Sequence, residues 1–155
     1  MNNVAVYGTL LKGLHNHLIL ASDTTKFIGD GLVKGFDMYD LGSFPAIIKG
    51  EGDVVVEVYN VDDHTMSKLD MLEGYHGPGS RNNLYNKETA FVDMWDPENG
   101  EEYSIVAEIY VFNKVALGKG FLKNSSYIES GNYKKHLRDK EGTTKRDDFR
   151  KSIVF

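Results

Sequence analysis

Two stretches of this 155-residue chain carry residue types that could do chemistry. The first is Tyr7-Gly8-Thr9-Leu10-Leu11-Lys12-Gly13, a turn bracketed by glycines. Glycine admits close approach and positive φ, so successive backbone N–H groups of such a turn can be aimed at one anion. A carboxylate would suit that nest. The Gly, Lys and Ser/Thr spacing of a phosphate-binding loop is missing, which makes ATP or GTP a poor match. By spacing alone, a plain strand exit is the commoner meaning of these residues.

The second stretch is Leu69-Asp70-Met71-Leu72-Glu73-Gly74-Tyr75. Leu69 and Leu72 are expected to bury one helix face, leaving Glu73 as the last residue before the chain turns away, at a pocket rim or inside it. The negative end of the helix dipole and partial burial both raise a carboxylate's proton affinity, and a carboxylate tuned upward suits a general base. A solvated glutamate at a helix end is the commoner arrangement, and spacing does not separate the two.

The elements that must position these residues follow from local patterning. Val4-Ala5-Val6-Tyr7 is a β-branched and aromatic run stopped by Gly8, a strand that delivers the chain to the turn. Leu14, Leu18 and Ala21 have the spacing of one helical face, so a short helix is expected within Leu10 to Ala21. Residues 27–50 scatter five glycines among small apolar clusters, a pattern for short bent strands, with Pro45 breaking what precedes it. Asp53 to Tyr59 is the strongest strand signal. Asp62 and Asp63 can accept from free amides at a helix start, Met66, Leu69 and Leu72 recur at helical spacing, and Gly74 ends that helix. Residues 74–83 cannot sustain regular structure and make an exposed or mobile loop beside Glu73. Glu88 to Trp95 and Glu102 to Phe112 form a hairpin across Asp96-Pro97-Glu98-Asn99-Gly100. The expected class is α+β: a small curled, mostly antiparallel β-sheet or barrel with a few short helices.

Composition narrows the function. A 41% hydrophobic share with nine Tyr and eight Phe belongs to a folded chain, and 155 residues suffice for one core. The absence of cysteine removes disulfides, thiolate nucleophiles and thiolate metal sites. Without a basic, hydrophobic leader or any apolar membrane-length window, the reading is a cytoplasmic protein with no membrane partner. The charge of -5 is uneven: residues 134–151 hold eight Lys/Arg against four Asp/Glu, a balance of +4, which leaves -9 on the rest. A nucleic-acid partner is therefore not expected. The charged segment reads as a solvated tail or exposed helix, and the Ile153-Val154-Phe155 end must pack somewhere or invite association.

Rival residues have plainer readings. Glu57 shares a strand face with Val55 and Tyr59, and either faces a ligand or is a buried glutamate paired to a backbone or basic group. His15 and His17 lack a nearby third ligand, so no metal is expected. Trp95 and the strand tyrosines read as core or rim packing.

The joint order of several segments resembles the gamma-glutamyl cyclotransferase and AIG2-like superfamily over roughly residues 3–136. They are Tyr7 to Leu10, Gly13 with Asn16 and His17, Gly42-Ser43-Phe44-Pro45-Ala46-Ile47, and Leu69-Asp70 with Glu73-Gly74-Tyr75. Leu84-Tyr85 and Ile128-Glu129-Ser130-Gly131-Asn132-Tyr133 are weaker matches, the latter to a closing Ser-Gly-Asp-Trp. Three features depart from the pattern: Tyr85-Asn86-Lys87 stands where many relatives place an Arg, Val56-Glu57 replaces a Gly-Glu, and the loop from Gly74 to Asn83 is long. The resemblance implies a domain over 1–136 with a charged extension at 137–155. It implies that backbone groups of Tyr7, Gly8, Thr9 and Leu10 bind the substrate, and Tyr85 is read beside them as a hydroxyl partner. Glu73 is then the acid/base, and no cofactor is involved. The implied reaction is intramolecular acyl transfer, releasing 5-oxoproline and a free amine from a gamma-glutamyl compound, gamma-glutamylamines being favoured. A monomer or weak homodimer is expected. The alternatives are a non-catalytic binder of a small metabolite or nucleotide-like signal in the same pocket, and an interaction module built on the basic tail.

Overall fold

The computed structural model describes residues 1–117 and 123–141. Strand β1 (Asn2–Val6) pairs antiparallel with β3 (Pro45–Val61) and parallel with β5 (Glu102–Phe112). The β4 strand (Tyr85–Trp95) forms a hairpin with β5 in unbroken register from Tyr85↔Phe112 to Trp95↔Glu102. The long β2 (Lys26–Asp40) pairs with β3 along most of its length, with β4 near Gly31, and with the short β6 (Ser126–Ile128) at its far end. Following these pairings from β3 through β1, β5, β4 and β2 returns to β3, so the mostly antiparallel sheet curls into a near-barrel. The α+β expectation holds, with one parallel pair.

Two local expectations are corrected. Residues 27–50 are not short bent strands: β2 bends through register shifts at Phe27/Gly29 and Lys34/Phe36 while remaining one strand. Pro45 opens β3, a position where its missing N–H costs no ladder bond. Only His17–Leu20 is helical in the 10–21 stretch, as one 3-10 turn, and Leu18 is 82% exposed rather than on a buried face.

The interior is filled by alternate strand positions. Val4 and Val6 of β1, Val54, Val56 and Val58 of β3, Val92 of β4 and Ile109 of β5 are all buried. Each such side chain stabilises the barrel by roughly 1.5–3 kcal/mol. Helix α1 (Asp63–Leu72) begins where Asp62 accepts from the Thr65 amide at 2.8 Å, and it packs Met66 and Leu69 into the core. Leu72, expected on the buried face, stays half exposed.

The opposite face of β3 is covered from two sides. Glu57 Oε1 accepts from the Lys12 amide at 2.9 Å and from the Tyr59 hydroxyl at 2.8 Å, and Oε2 meets Lys134 Nζ at 3.0 Å. Lys134 belongs to a helix over 133–141, which also places His136 and Lys140 on Asp40 at 2.8 and 2.9 Å. Up to residue 141, the charged segment is thus a helix bonded to the barrel through its basic side chains. The remainder of that segment and the Ile153-Val154-Phe155 end lie outside the described residues.

Candidate active site

Between the end of β1, the end of α1 and the start of β4 lies a cavity of about 190 Å³. Its walls include Tyr7, Gly8, Thr9 and Leu10 from the turn after β1, Ser43-Phe44-Pro45 from the β2–β3 connection, Leu72 and Glu73 from α1, and Tyr85 and Tyr110 from β4 and β5. Folding therefore brings Tyr7, Gly8, Thr9 and Leu10 of the first stretch together with Leu72 and Glu73 of the second and with Tyr85, across 78 positions of sequence from Tyr7 to Tyr85.

The turn is built by close approach. A Cβ at Gly8 would lie 2.7 Å from Cγ and 2.9 Å from Cδ of Pro45, so only glycine lets these two segments meet. Gly8 is not among the glycines at positive φ, so of the two properties expected of it only the first is used. Leu11 N–H donates to the Gly8 carbonyl, Asn16 N–H to the Thr9 carbonyl, and Asn16 Nδ2 to the Thr9 hydroxyl at 2.9 Å. His17 Nδ1 lies 2.9 Å from the Leu10 carbonyl. The carbonyls of the turn are thereby engaged, whereas the N–H groups of Gly8, Thr9 and Leu10 have no hydrogen-bond partner among the described residues.

Glu73 is the C-terminal cap of α1, its amide donating to Leu69 and its side chain lining the cavity. Among the described residues nothing donates to its carboxylate. Burial pushes its pKa from 4.5 up to about 7, because the charged form loses water and gains no partner. Its charge reaches three hydroxyls: Tyr7, Tyr85 and Tyr110 all have raised pKa values, burial first and Glu73 among the further causes. All three therefore stay protonated. Tyr7 donates to the Tyr110 carbonyl at 2.6 Å and Tyr85 to the Pro45 carbonyl at 2.8 Å, which fixes their rings as walls.

Residues 4–135 match the family described as gamma-glutamyl cyclotransferase, AIG2-like. The chain belongs to that family. It is 38% identical over 93 residues, 59% of its length and 76% of the relative's, to a Vibrio cholerae protein provisionally named a gamma-glutamylcyclotransferase. It is 33% identical over 88 residues to the gamma-L-glutamyl-butirosin B gamma-glutamyl cyclotransferase of Niallia circulans, covering 56% of this chain and 55% of that one. The crystal structure of the Pyrococcus horikoshii protein PH0828 superposes with a TM-score of 0.58 over 92% of this chain and 98% of its own, at 24% identity, and supports the fold.

Within this cyclotransferase-family fold, the remaining candidates separate. Glu57 is engaged by three donors and lies outside the cavity lining. Burial works to raise its pKa, and the Lys12 amide, Lys134 and Tyr59 together outweigh it and hold the carboxyl below its ordinary value. His15 lines the cavity, while His17 packs its ring against Tyr59 with centroids 5.8 Å apart. Lys87 is not in the lining either: its Nζ sits 3.0 and 3.1 Å from the two oxygens of Asp70. The loop after α1 is pinned by Asn83, which is fully buried, accepts from the His76 amide at 2.6 Å and donates to the Gly77 carbonyl at 2.8 Å. Sequence reasoning gave no site role to Ser43, Phe44, Pro45 or Tyr110. The first three were visible only as a motif, and Tyr110 had no signal beyond its place in a strand.

Proposed function

We propose that this protein is a gamma-glutamylamine cyclotransferase with Glu73 as its acid/base. The observation carrying this reading is a carboxylate with no donor, raised to about 7, in one small cavity with three backbone N–H groups that have no partner among the described residues. The substrate's α-ammonium gives a proton to Glu73, and the freed amine attacks the gamma-carbonyl. The new C–N bond closes 5-oxoproline as the old amide C–N bond breaks, the departing amine takes the proton back from Glu73, and the second proton that the ring nitrogen must lose leaves with that amine as its ammonium. The nucleophile arrives within the substrate. The amides of Gly8, Thr9 and Leu10 hold the α-carboxylate or the oxyanion, their direction set before substrate enters. Tyr7 and Tyr85 wall the ring that forms, and the Tyr85 hydroxyl, already donating to Pro45, is left to accept from the substrate's amine.

The lining favours the substrate class. Among the described residues it contains no Lys or Arg, so a leaving amino acid would bring its own carboxylate toward Glu73 with none of these cations to neutralise it. A leaving amine without that carboxylate avoids the repulsion. The Niallia circulans relative is named for gamma-L-glutamyl-butirosin B, itself a gamma-glutamyl compound.

The test is incubation with a panel of gamma-glutamylamines and gamma-glutamyl amino acids while 5-oxoproline is measured. The expected result is release from the amines, with Glu73→Gln folded, still binding ligand, and slower by roughly 10²–10⁴-fold. Full activity of that variant would remove Glu73 from the mechanism. Tight binding of a panel compound without turnover by the unmodified protein would instead make the cavity a sequestering site.

A further inference from the structure

Behind the cavity wall, three carboxylates act on one hydroxyl, and two of them, Asp70 and Glu108, meet the ammonium of Lys87. Tyr110 donates to Asp70 Oδ1 at 2.7 Å, and the charges of Asp70, Glu73 and Glu108 all act on that hydroxyl. Lys87 Nζ is 3.0 Å from Asp70, 3.9 Å from Glu108 and 4.9 Å from the centre of the Tyr75 ring, with its side chain only 14% exposed. Asp70 lies one helical turn before Glu73, on neighbouring positions of the α1 surface. The Asp70 carbonyl also accepts from the Tyr75 amide at 2.8 Å, just past the helix end.

We propose that Lys87 is a positioning residue of the site, tying the Glu73 end of α1 to β4 through Asp70 and neutralising the carboxylates that flank Glu73. This rests on the reading of Glu73 as acid/base. Two like charges close to a third carboxylate make its ionisation harder, and one ammonium among them offsets that. The other ionisable groups facing Glu73 are Tyr7 from the turn after β1, Tyr85 from β4, Tyr110 from β5 and His15 from the following turn. The three tyrosines stay neutral, so beyond His15 the ionisable groups beside Glu73 are Asp70, Glu108 and Lys87, whose charges add to the effect of burial. An Arg would satisfy the same geometry, since its planar fork matches a carboxylate held by two contacts.

The experiment titrates the Glu73 carboxyl by ¹³C NMR, which needs no turnover, beside the pH profile of kcat/KM. In the unmodified protein the midpoint is expected near 7. Lys87→Met should move it up by about one pH unit, Asp70→Asn should move it down, and the double variant should return it close to the starting value. Lys87→Arg should leave it in place. Should Lys87→Met fail to fold, Asp70→Asn decides alone. A midpoint that stays put in the folded single variants, with only thermal stability lost, overturns the proposal and reduces the pair to scaffolding. A panel that yields no 5-oxoproline at all would overturn the cyclotransferase reading, while the NMR titration would still report on Lys87.

Discussion

At the residue scale, the site is governed by what each polar group is denied. Glu73 has a cavity and no donor, while Glu57, on the neighbouring wall of the same barrel, has three donors. Burial pushes both upward; among the described residues only Glu57 has partners, and they bring it below its ordinary value. The raised value carries a cost with a definite sign. The folded state holds the Glu73 proton more tightly than the unfolded chain, so stability is intact below about 4.5, falls as pH rises, and has reached its reduced level above about 7. Glu73→Gln should therefore melt higher than the unmodified protein at pH 8, by on the order of 2 kcal/mol, with little difference at pH 4.5. Calorimetry at the two values checks this. Activity should show the reverse face of the same group, with kcat/KM falling tenfold per pH unit below about 7 and that limb absent in the Gln variant. Gly8→Ala should disturb the same cavity by steric means, since the new methyl meets the Pro45 ring. A loss of 5-oxoproline release greater than the loss of thermal stability is expected.

At the element scale, the C-terminal helix is held by a backbone contact that tolerates no side chain. Gly131 stands at φ +62 with the Asp53 carbonyl where a Cβ would go, and its own carbonyl accepts from Val55 N–H at 2.8 Å. Gly131→Ala must displace β3 or the turn that leads to the helix at 133. A destabilisation of about 3 kcal/mol is expected, with amide exchange accelerating first over 131–141. Exchange rates unchanged in that segment would show the docking to be immaterial. Lys134→Ala should act more mildly, because Glu57 keeps its bonds from Lys12 and Tyr59.

At the scale of the whole molecule, carboxylates of opposite tuning shape the stability curve. Burial raises Asp40's proton affinity, but bonds from Lys140, His136 and the Gly42 amide outweigh it, and Glu57 is similarly held low. Their contribution is present above the unfolded values of 3.8 and 4.5 and is lost as pH falls through the depressed folded values. Glu73 acts in the other direction, between 4.5 and about 7. Midpoints of thermal unfolding measured from pH 2 to 9 should pass through a maximum near pH 5, and Glu73→Gln should flatten only the upper side. A profile rising steadily to pH 8 would contradict the opposed pair.

The sequence alone determined what depends on neighbours along the chain. The strand before Gly8, the helix between Asp62 and Gly74 and the 88–112 hairpin follow from side-chain alternation, capping and turn chemistry, and the ordered motifs pointed to the family and to Glu73. Local pattern misjudged residues 10–21 and 27–50, where register shifts and tertiary burial override propensity. Only the closed arrangement of strands decided that Glu73 would be stripped of water and donors while Glu57 received three. It also decided that Lys87 would serve Asp70, and that Ser43, Phe44, Pro45 and Tyr110 would wall the cavity. Desolvation and partnership depend on groups tens of residues apart, so no local spacing encodes them and only the closing of the barrel brings them into force.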